Sequence, residues 1–394
     1  MKEILINKKE DKKQILLLED SKLVEKYEEN KDIQRIEGNI YIGKVESVLQ
    51  GMQSAFIDIG QEKNTFIHLK DILPKIDVKD REQDKDKKIK DVIKPGDPIL
   101  VQVKRDFTKS KGAKVSTHIS INSRFIVLMP NTTIITISQK ITDEQEKTRL
   151  TEIVKKYLPE NCGVIIRTSA EKQAEEVIKN DIEVAFGKWN NINKIYEEGK
   201  NNNKFPKIVY KSHNVIKKLL VDLVDKDLER IIANSNEDYE YLSKLLKEFN
   251  VNNIELIKEK VDFIEERPVL KDEIRKTDRR KVWLKCGGFI TIDKTEALTA
   301  IDVNSGKYTG IDNVESTIFK VNKEASIEIA KQLRVRDIGG IVIIDYIDMQ
   351  LEESKEKIIS ILTDELKKDR TKTQIIGFSK LNLLELTRKH VCGN

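Results

Sequence analysis

Residues 287–304 read GGFITIDKTEALTAIDVN, and residues 338–348 read IGGIVIIDYID. Phe289 to Asp293 alternates apolar and polar residues, and so does Ala297 to Asn304. Polar Lys294-Thr295-Glu296 lies between, which predicts a hairpin. Asp302 and Asn304 are two apart, so both side chains leave one face of the second strand. Ala297, Thr299, Ile301 and Val303 leave the other. Farther on, Asp312 reads as a helix N-cap with Glu315 three residues later. Ile318, Val321, Ala325, Ile329 and Leu333 mark that helix's buried stripe. Gly339-Gly340 breaks the chain. Ile341 to Ile344 is then a continuous apolar run, as in a strand covered on both faces. If the two strands are parallel neighbours, the crossover is right-handed and both end at one edge of the sheet, where open α/β sheets bind ligands. Asp302, Asn304 and Asp345 are expected to meet there.

Two carboxylates and an amide oxygen form a hard donor set. It suits Mg²⁺, which keeps several waters and takes one or two protein carboxylates beside a substrate phosphate. Such an ion polarises a phosphoryl oxygen and helps generate hydroxide. The plainer alternative is that Asp302 and Asp345 merely cap strand ends at a solvated edge.

The stretch AIDVNSG (residues 300–306), followed by IAKQLRVRDIGGIVIIDYIDM (residues 329–349), resembles the catalytic region of the ribonuclease E/G family. The resemblance extends over nearly the whole chain. It implies that Asp302 and Asp345 hold Mg²⁺ and that Asn304 orients them. Mn²⁺ remains an alternative ion, since oxygen-rich sites accept both.

The 394 residues leave room for two to four domains. Lys and Arg number 72 against 67 Asp and Glu, a net charge of +5. That excludes a histone-like polycation but leaves open a basic channel built by clustering. No apolar run approaches the ~18 residues of a membrane span, and the N-terminal MKEILINKKEDKK lacks the apolar core of a signal peptide. The expected location is the cytoplasm. Cys162, Cys286 and Cys392 are far apart with no Cys-x-x-Cys, which argues against a disulfide framework and a self-contained zinc site. In the resembled family a cysteine pair near this position joins two subunits through shared zinc. Here Cys392, in His390-Val391-Cys392, corresponds to one member of that pair, which leaves the zinc link an open expectation. Homodimer and homotetramer both stay open.

In chain order, residues 1–35 offer short strands, Glu3 to Ile6 and Gln14 to Leu18, and a polar helix or strand near Leu23 to Glu29. They are too little to fold alone. The resemblance implies one part of an RNase H-like subdomain here, with its other part at 215–275. From Gly38, NIYIGKVESVLQGMQSAFIDIGQEKNTFIHL gives short strands with glycine turns, a small-barrel pattern. It resembles the S1-type RNA-binding OB-fold, for which residues 36–122 have room. The resemblance puts Phe56, Phe66 and His68 on the RNA-binding face and Lys111 near bound RNA. Periodicity alone leaves both Phe free to fill the core, and a lysine there could be plain loop charge. The mixed-charge run at residues 79–91 reads as a solvated loop.

Residues 123–214 form the next segment, with a helix expected from Thr142 to Leu158 and another from about Ala170 to Gly199. VIIRTSA (residues 164–170) ends an apolar strand at Arg167-Thr168. The resemblance implies that this pair binds the RNA's 5′-monophosphate. A guanidinium fork grips phosphate bidentately and a hydroxyl adds one bond. An ordinary strand-end Arg is the alternative. Residues 207–275 alternate strand and helix. Residues 275–285 (RKTDRRKVWLK) lead basic charge into the hairpin, as RNA binding needs. Helix Leu351 to Lys368 and strand Thr373 to Phe378 follow. Leu386-Thr387-Arg388-Lys389 is expected to bring positive charge to the same edge. There is no Walker loop, G-x-G-x-x-G fingerprint or Ser-His-Asp spacing.

The expected fold is therefore multidomain α/β. An RNase H-like subdomain is split by an S1-type OB-fold barrel and a 5′-phosphate sensor region. A DNase-like α/β catalytic subdomain follows at 276–394. The expected function is a Mg²⁺-dependent endoribonuclease cutting single-stranded RNA to 5′-phosphate and 3′-hydroxyl ends. The resemblance implies RNA processing and decay, with rRNA precursors and mRNA as substrates. A non-catalytic RNA-binding factor or scaffold using the OB-fold alone is the rival.

Overall fold

A computed structural model describes residues 1–30, 35–72, 88–107, 112–212, 215–224, 228–249, 251–306 and 314–391. Two compact units can be told apart: Met1–Ile33 with Lys226–Cys392, and Gln34–Asp225.

The chain opens with three antiparallel strands, β1 (Lys2–Lys9), β2 (Lys12–Glu19) and β3 (Lys22–Asn30). Positive φ at Glu10, Asp20 and Ser21 makes the tight two-residue connections. The ambiguous segment near Leu23 is thus a strand.

In the second unit, β4 (Ile40–Leu49), β5 (Ser54–Asp58), β6 (Thr65–His68), β7 (Pro98–Arg105) and β8 (Lys114–Ser116) run in the order β4-β5-β6-β8-β7, and β7 pairs back onto β4. That return closes a five-stranded, OB-like barrel. Val45, Ala55, Ile57, Ile67, Val101 and Val115 are fully buried inside it. The charged run at residues 79–91 is described only from Lys88. There it forms a short helical turn, Ile89–Val92, that seals the barrel with buried Ile89. Next come β9 (Ile121–Asn122), β10 (Ile126–Pro130) and β11 (Ile135–Ile137). Helix α1 (Glu144–Tyr157) is capped by the Asp143 side chain, which accepts from the backbone N–H of Gln145 and Glu146. Strand β12 (Cys162–Ile166) lies between β10 and β11, and α2 (Glu175–Asn201) packs on that sheet. Strand β13 (Lys207–Tyr210) adds to the barrel at β4, and α3 (Val215–Leu223) completes the unit.

Back in the first unit, β14 (Leu228–Ala233), α4 (Asn236–Glu248), β15 (Glu255–Lys258) and α5 (Pro268–Thr277) follow. Strand β14 runs parallel to β1, giving the sheet order β15-β14-β1-β2-β3. The N-terminal strands thus find their partner more than two hundred positions away. The last sheet holds β16 (Lys281–Trp283), β17 (Phe289–Lys294), β18 (Leu298–Asn304), β19 (Gly340–Asp345), β20 (Thr373–Phe378) and β21 (Leu383–Arg388), in the order β16-β17-β18-β19-β21-β20. Helices α6 (Val314–Val335) and α7 (Glu352–Leu366) bury one of its faces through Ile290, Ile301, Val303, Val342, Ile344, Leu384 and Leu386.

Two expectations need correction. Strand β19 is not covered on both faces. Val342 and Ile344 are fully buried, but Ile341 is 49% exposed, because both helices lie on the same side. Arg388 does not bring free positive charge to the Asp345 edge. Strand β21 runs antiparallel to β19 and sets Arg388 beside Gly340, at the opposite end. There it is buried and paired with Asp369 at 2.7 Å and Asp337 at 2.9 Å. A second buried ion cluster joins Glu25 of β3 to Arg334 of α6 and to Arg370, at 3.1 and 3.0 Å.

Candidate active site

Strands β17 and β18 form the expected hairpin, and β18 pairs in parallel with β19. Asp302 and Asp345 are register partners across that parallel pair. Neighbouring strands lie ~4.8 Å apart, so two carboxylates leave the same face side by side. Asn304, two residues along, donates from Nδ2 to Oδ2 of Asp302 at 2.6 Å. This leaves Asp302 an oxygen for another partner. Burial, then the charges of Asp302 and Asp348, hold the Asp345 carboxyl above the usual aspartate range. Two neighbouring carboxylates and an amide oxygen are hard donors, and that chemistry fits a divalent ion such as Mg²⁺. Asp348 had not been singled out from the sequence.

The glycines framing the hairpin follow from close approach. A Cβ on Gly288 would sit 2.8 Å from the Asn304 carbonyl oxygen. Gly306 has a φ of +60°, and a Cβ there would strike the Gly287 carbonyl. The turn beyond Asn304 can pass the start of β17 only if both are glycine. The expected helix start at Asp312 lies outside the described residues. Within α6, the stripe of Val321, Ala325, Ile329 and Leu333 is buried as anticipated.

Sequence reasoning missed a set of buried polar groups beside that stripe. Asn322 is fully buried; its Nδ2 donates to the Ile347 carbonyl at 2.8 Å and its Oδ1 accepts from the Ile347 N–H at 3.1 Å. The loop directly after Asp345 is therefore clamped to α6. Ser326, one turn on, shares a 2.7 Å hydrogen bond with the Tyr346 hydroxyl. The available signal was a polar residue recurring at i, i+4 inside an apolar stripe. Glu324 also accepts from the Cys286 N–H at 2.8 Å, anchoring the hairpin's entrance.

In the barrel, Phe56 and Phe66 are partners across β5 and β6, edge to face with centroids 6.2 Å apart. Phe56 is 36% exposed while its neighbours Ala55 and Ile57 are fully buried, so the rings lie on the outer face rather than in the core. His68 shares that face, and its Nδ1 accepts from the Lys70 N–H. Lys111 lies outside the described residues. Arg167 follows β12 as expected, but its guanidinium is held by Asp222 of α3. The Thr168 hydroxyl meets that of Ser138 at 2.9 Å. Cys162 and Cys286 are free thiols, and Cys392 lies outside the described residues. No described helix is long and apolar enough to cross a membrane.

The chain is similar to known proteins along almost its full length. It is 37% identical to the protein named Ribonuclease G of Salmonella typhimurium (strain SL1344), over 98% of this chain and 79% of that one. It is 36% identical to Ribonuclease G of Escherichia coli (strain K12) with the same coverage. It is 35% identical to a putative ribonuclease E of Buchnera aphidicola subsp. Baizongia pistaciae (strain Bp), over 99% of this chain and 95% of that one. The model of the Ribonuclease E/G family matches residues 120–391, which contain Asp302, Asn304 and Asp345. The chain belongs to the ribonuclease E/G family.

Proposed function

We propose that this chain, an endoribonuclease of the ribonuclease E/G family, hydrolyses single-stranded RNA at Asp302, Asn304 and Asp345. The observation carrying this reading is the in-register pairing of Asp302 with Asp345 across parallel strands, with Asn304 bonded to Asp302. Asp302 and Asp345 would hold Mg²⁺, or Mn²⁺ in its place. Bound there, the ion supplies charge neutralisation at a phosphoryl oxygen and lowers the pKa of a water. Asn304 would hold one oxygen of Asp302 and leave the other for the ion. Asn322 holds the loop behind Asp345 and so limits the freedom of that carboxylate. In the reaction, the water oxygen adds to phosphorus and the bond to the 3′ oxygen breaks. The 3′ oxygen leaves with a proton, giving 3′-hydroxyl and 5′-phosphate ends.

The exposed Phe56 ring, with half-buried Phe66 beside it on the same outer face, supports a role in stacking unpaired bases, which proteins grip more readily than paired ones. His68 shares that face and is proposed to contact RNA, and Lys111 is proposed as an RNA contact from the resemblance alone. Arg167 and Thr168 are the proposed site for a 5′-monophosphate, which would use the guanidinium donors that Asp222 leaves open. By the same reading, the sheet around β1 and β14 is the RNase H-like subdomain, the barrel is S1-type, and the sheet of β16–β21 is DNase-like. Processing and decay of cytoplasmic RNA would be the setting.

A 5′-labelled AU-rich oligonucleotide, incubated with the protein in Mg²⁺ and in EDTA, tests the reading. Cleavage only with Mg²⁺ supports it. Binding without product in either condition favours the rival, an RNA-binding factor that uses the barrel's outer face.

A further inference from the structure

The open face of the catalytic sheet carries an aromatic pair that the proposed reaction has not used. Trp283 on edge strand β16 is the register partner of Phe289 on β17, and Phe289 is the register partner of Asn304 on β18. The three side chains form one row across the sheet, beside the row that holds Asp302 and Asp345. Two strand spacings put Trp283 ~10 Å from Asn304. Strand alternation fixes the direction: Val282 packs into the core, so Lys281 and Trp283 point the other way, with the carboxylates. Trp283 is 58% exposed, and its ring meets that of Phe289 edge to face at 5.4 Å. The Lys281 ammonium lies 4.1 Å from the Trp283 ring centroid and 3.5 Å from that of Phe289.

An exposed indole, a second ring and a cation, on the same face as a phosphodiester-cleaving pair, match what holds single-stranded nucleic acid: a stacking surface beside a charge for the backbone. We propose that Trp283, backed by Phe289, stacks on an unpaired base of the RNA near the scissile bond, with Lys281 meeting an adjacent phosphate. This rests on the RNA-cleaving reading of Asp302 and Asp345 and adds a substrate-positioning surface to it.

The chain has two tryptophans, and Trp189 packs against an apolar cluster in the other unit. A Trp189→Phe, Asp302→Asn chain therefore reports Trp283 alone while leaving RNA uncut. Titration with a short AU-rich oligoribonucleotide should quench its emission saturably, in step with the anisotropy of the labelled RNA. In the otherwise unchanged chain, Trp283→Ala should lower kcat/KM by roughly 5- to 100-fold, and Trp283→Phe should keep most of the activity. Unchanged emission at saturating RNA, or full kcat/KM in Trp283→Ala, overturns the proposal. So does a Trp283→Ala effect accounted for by a change in sedimentation, which would make the patch a contact between copies of this chain. Should the wild-type chain cut nothing, the nuclease reading fails by itself, and the quench still decides whether Trp283 meets RNA.

Discussion

Arg388 and Asp369 form a fully enclosed ion pair at 2.7 Å, placed at the far end of β19 from Asp345. Asp337 shares the guanidinium at 2.9 Å. The charge that sequence order assigns to the Asp345 edge instead ties the end of β21 to the turn before β19. Removing one partner of such a pair leaves an uncompensated buried charge.

Arg388→Ala should therefore cost stability rather than RNA affinity, by about 3–5 kcal/mol. Burial works to raise the Asp369 pKa, but Arg388 and the Thr371 hydrogen bonds override it, and the carboxyl sits below the usual range. A carboxylate depressed in the folded state adds stability above its unfolded pKa of about 3.9. That contribution is lost as pH falls through the lower folded value. Urea unfolding at pH 7 should show the full deficit in Arg388→Ala, and the gap to wild type should narrow on acidification. A constant gap would contradict this assignment.

Asn322→Ala should separate positioning from folding. It deletes both hydrogen bonds to the backbone of half-buried Ile347, for a stability loss of about 1–3 kcal/mol. Under conditions where the variant is fully folded, kcat should still fall while KM for RNA changes little. An unaltered kcat would mean that the clamp does not bear on Asp345.

Arg167→Ala should abolish any preference for 5′-monophosphate over 5′-hydroxyl RNA, about 10-fold or more for a lost charged hydrogen-bonding pair. Asp222→Asn should retain the preference or sharpen it, since it releases the guanidinium from its carboxylate. Competition between the two substrates in one tube reads both variants. An unchanged ratio in Arg167→Ala removes the phosphate role.

The hairpin, the crossover and the register partnership of Asp302 with Asp345 were legible because local alternation and a right-handed crossover rule leave few arrangements. What escaped was set by distant partners. Strand β21 shows alternation at Leu384 and Leu386, but its insertion between β19 and β20 reverses chain order, and that reversal moves Arg388 to the other end of the sheet. Phe56 sits between Ala55 and Ile57, so its outward direction emerges only once the barrel closes. The pairing of Arg167 with Asp222 and the clamp of Asn322 on Ile347 likewise join residues that no sequence period relates.

The most direct test of the account replaces each member of the carboxylate pair while following cleavage and binding together. A labelled AU-rich oligonucleotide at saturating Mg²⁺ should be cut about 100-fold more slowly, or not at all, by Asp302→Asn and by Asp345→Asn. Fluorescence anisotropy should show each variant binding the RNA within a few-fold of wild type. Wild-type cleavage by either variant would contradict the central claim that these two register partners carry the reaction.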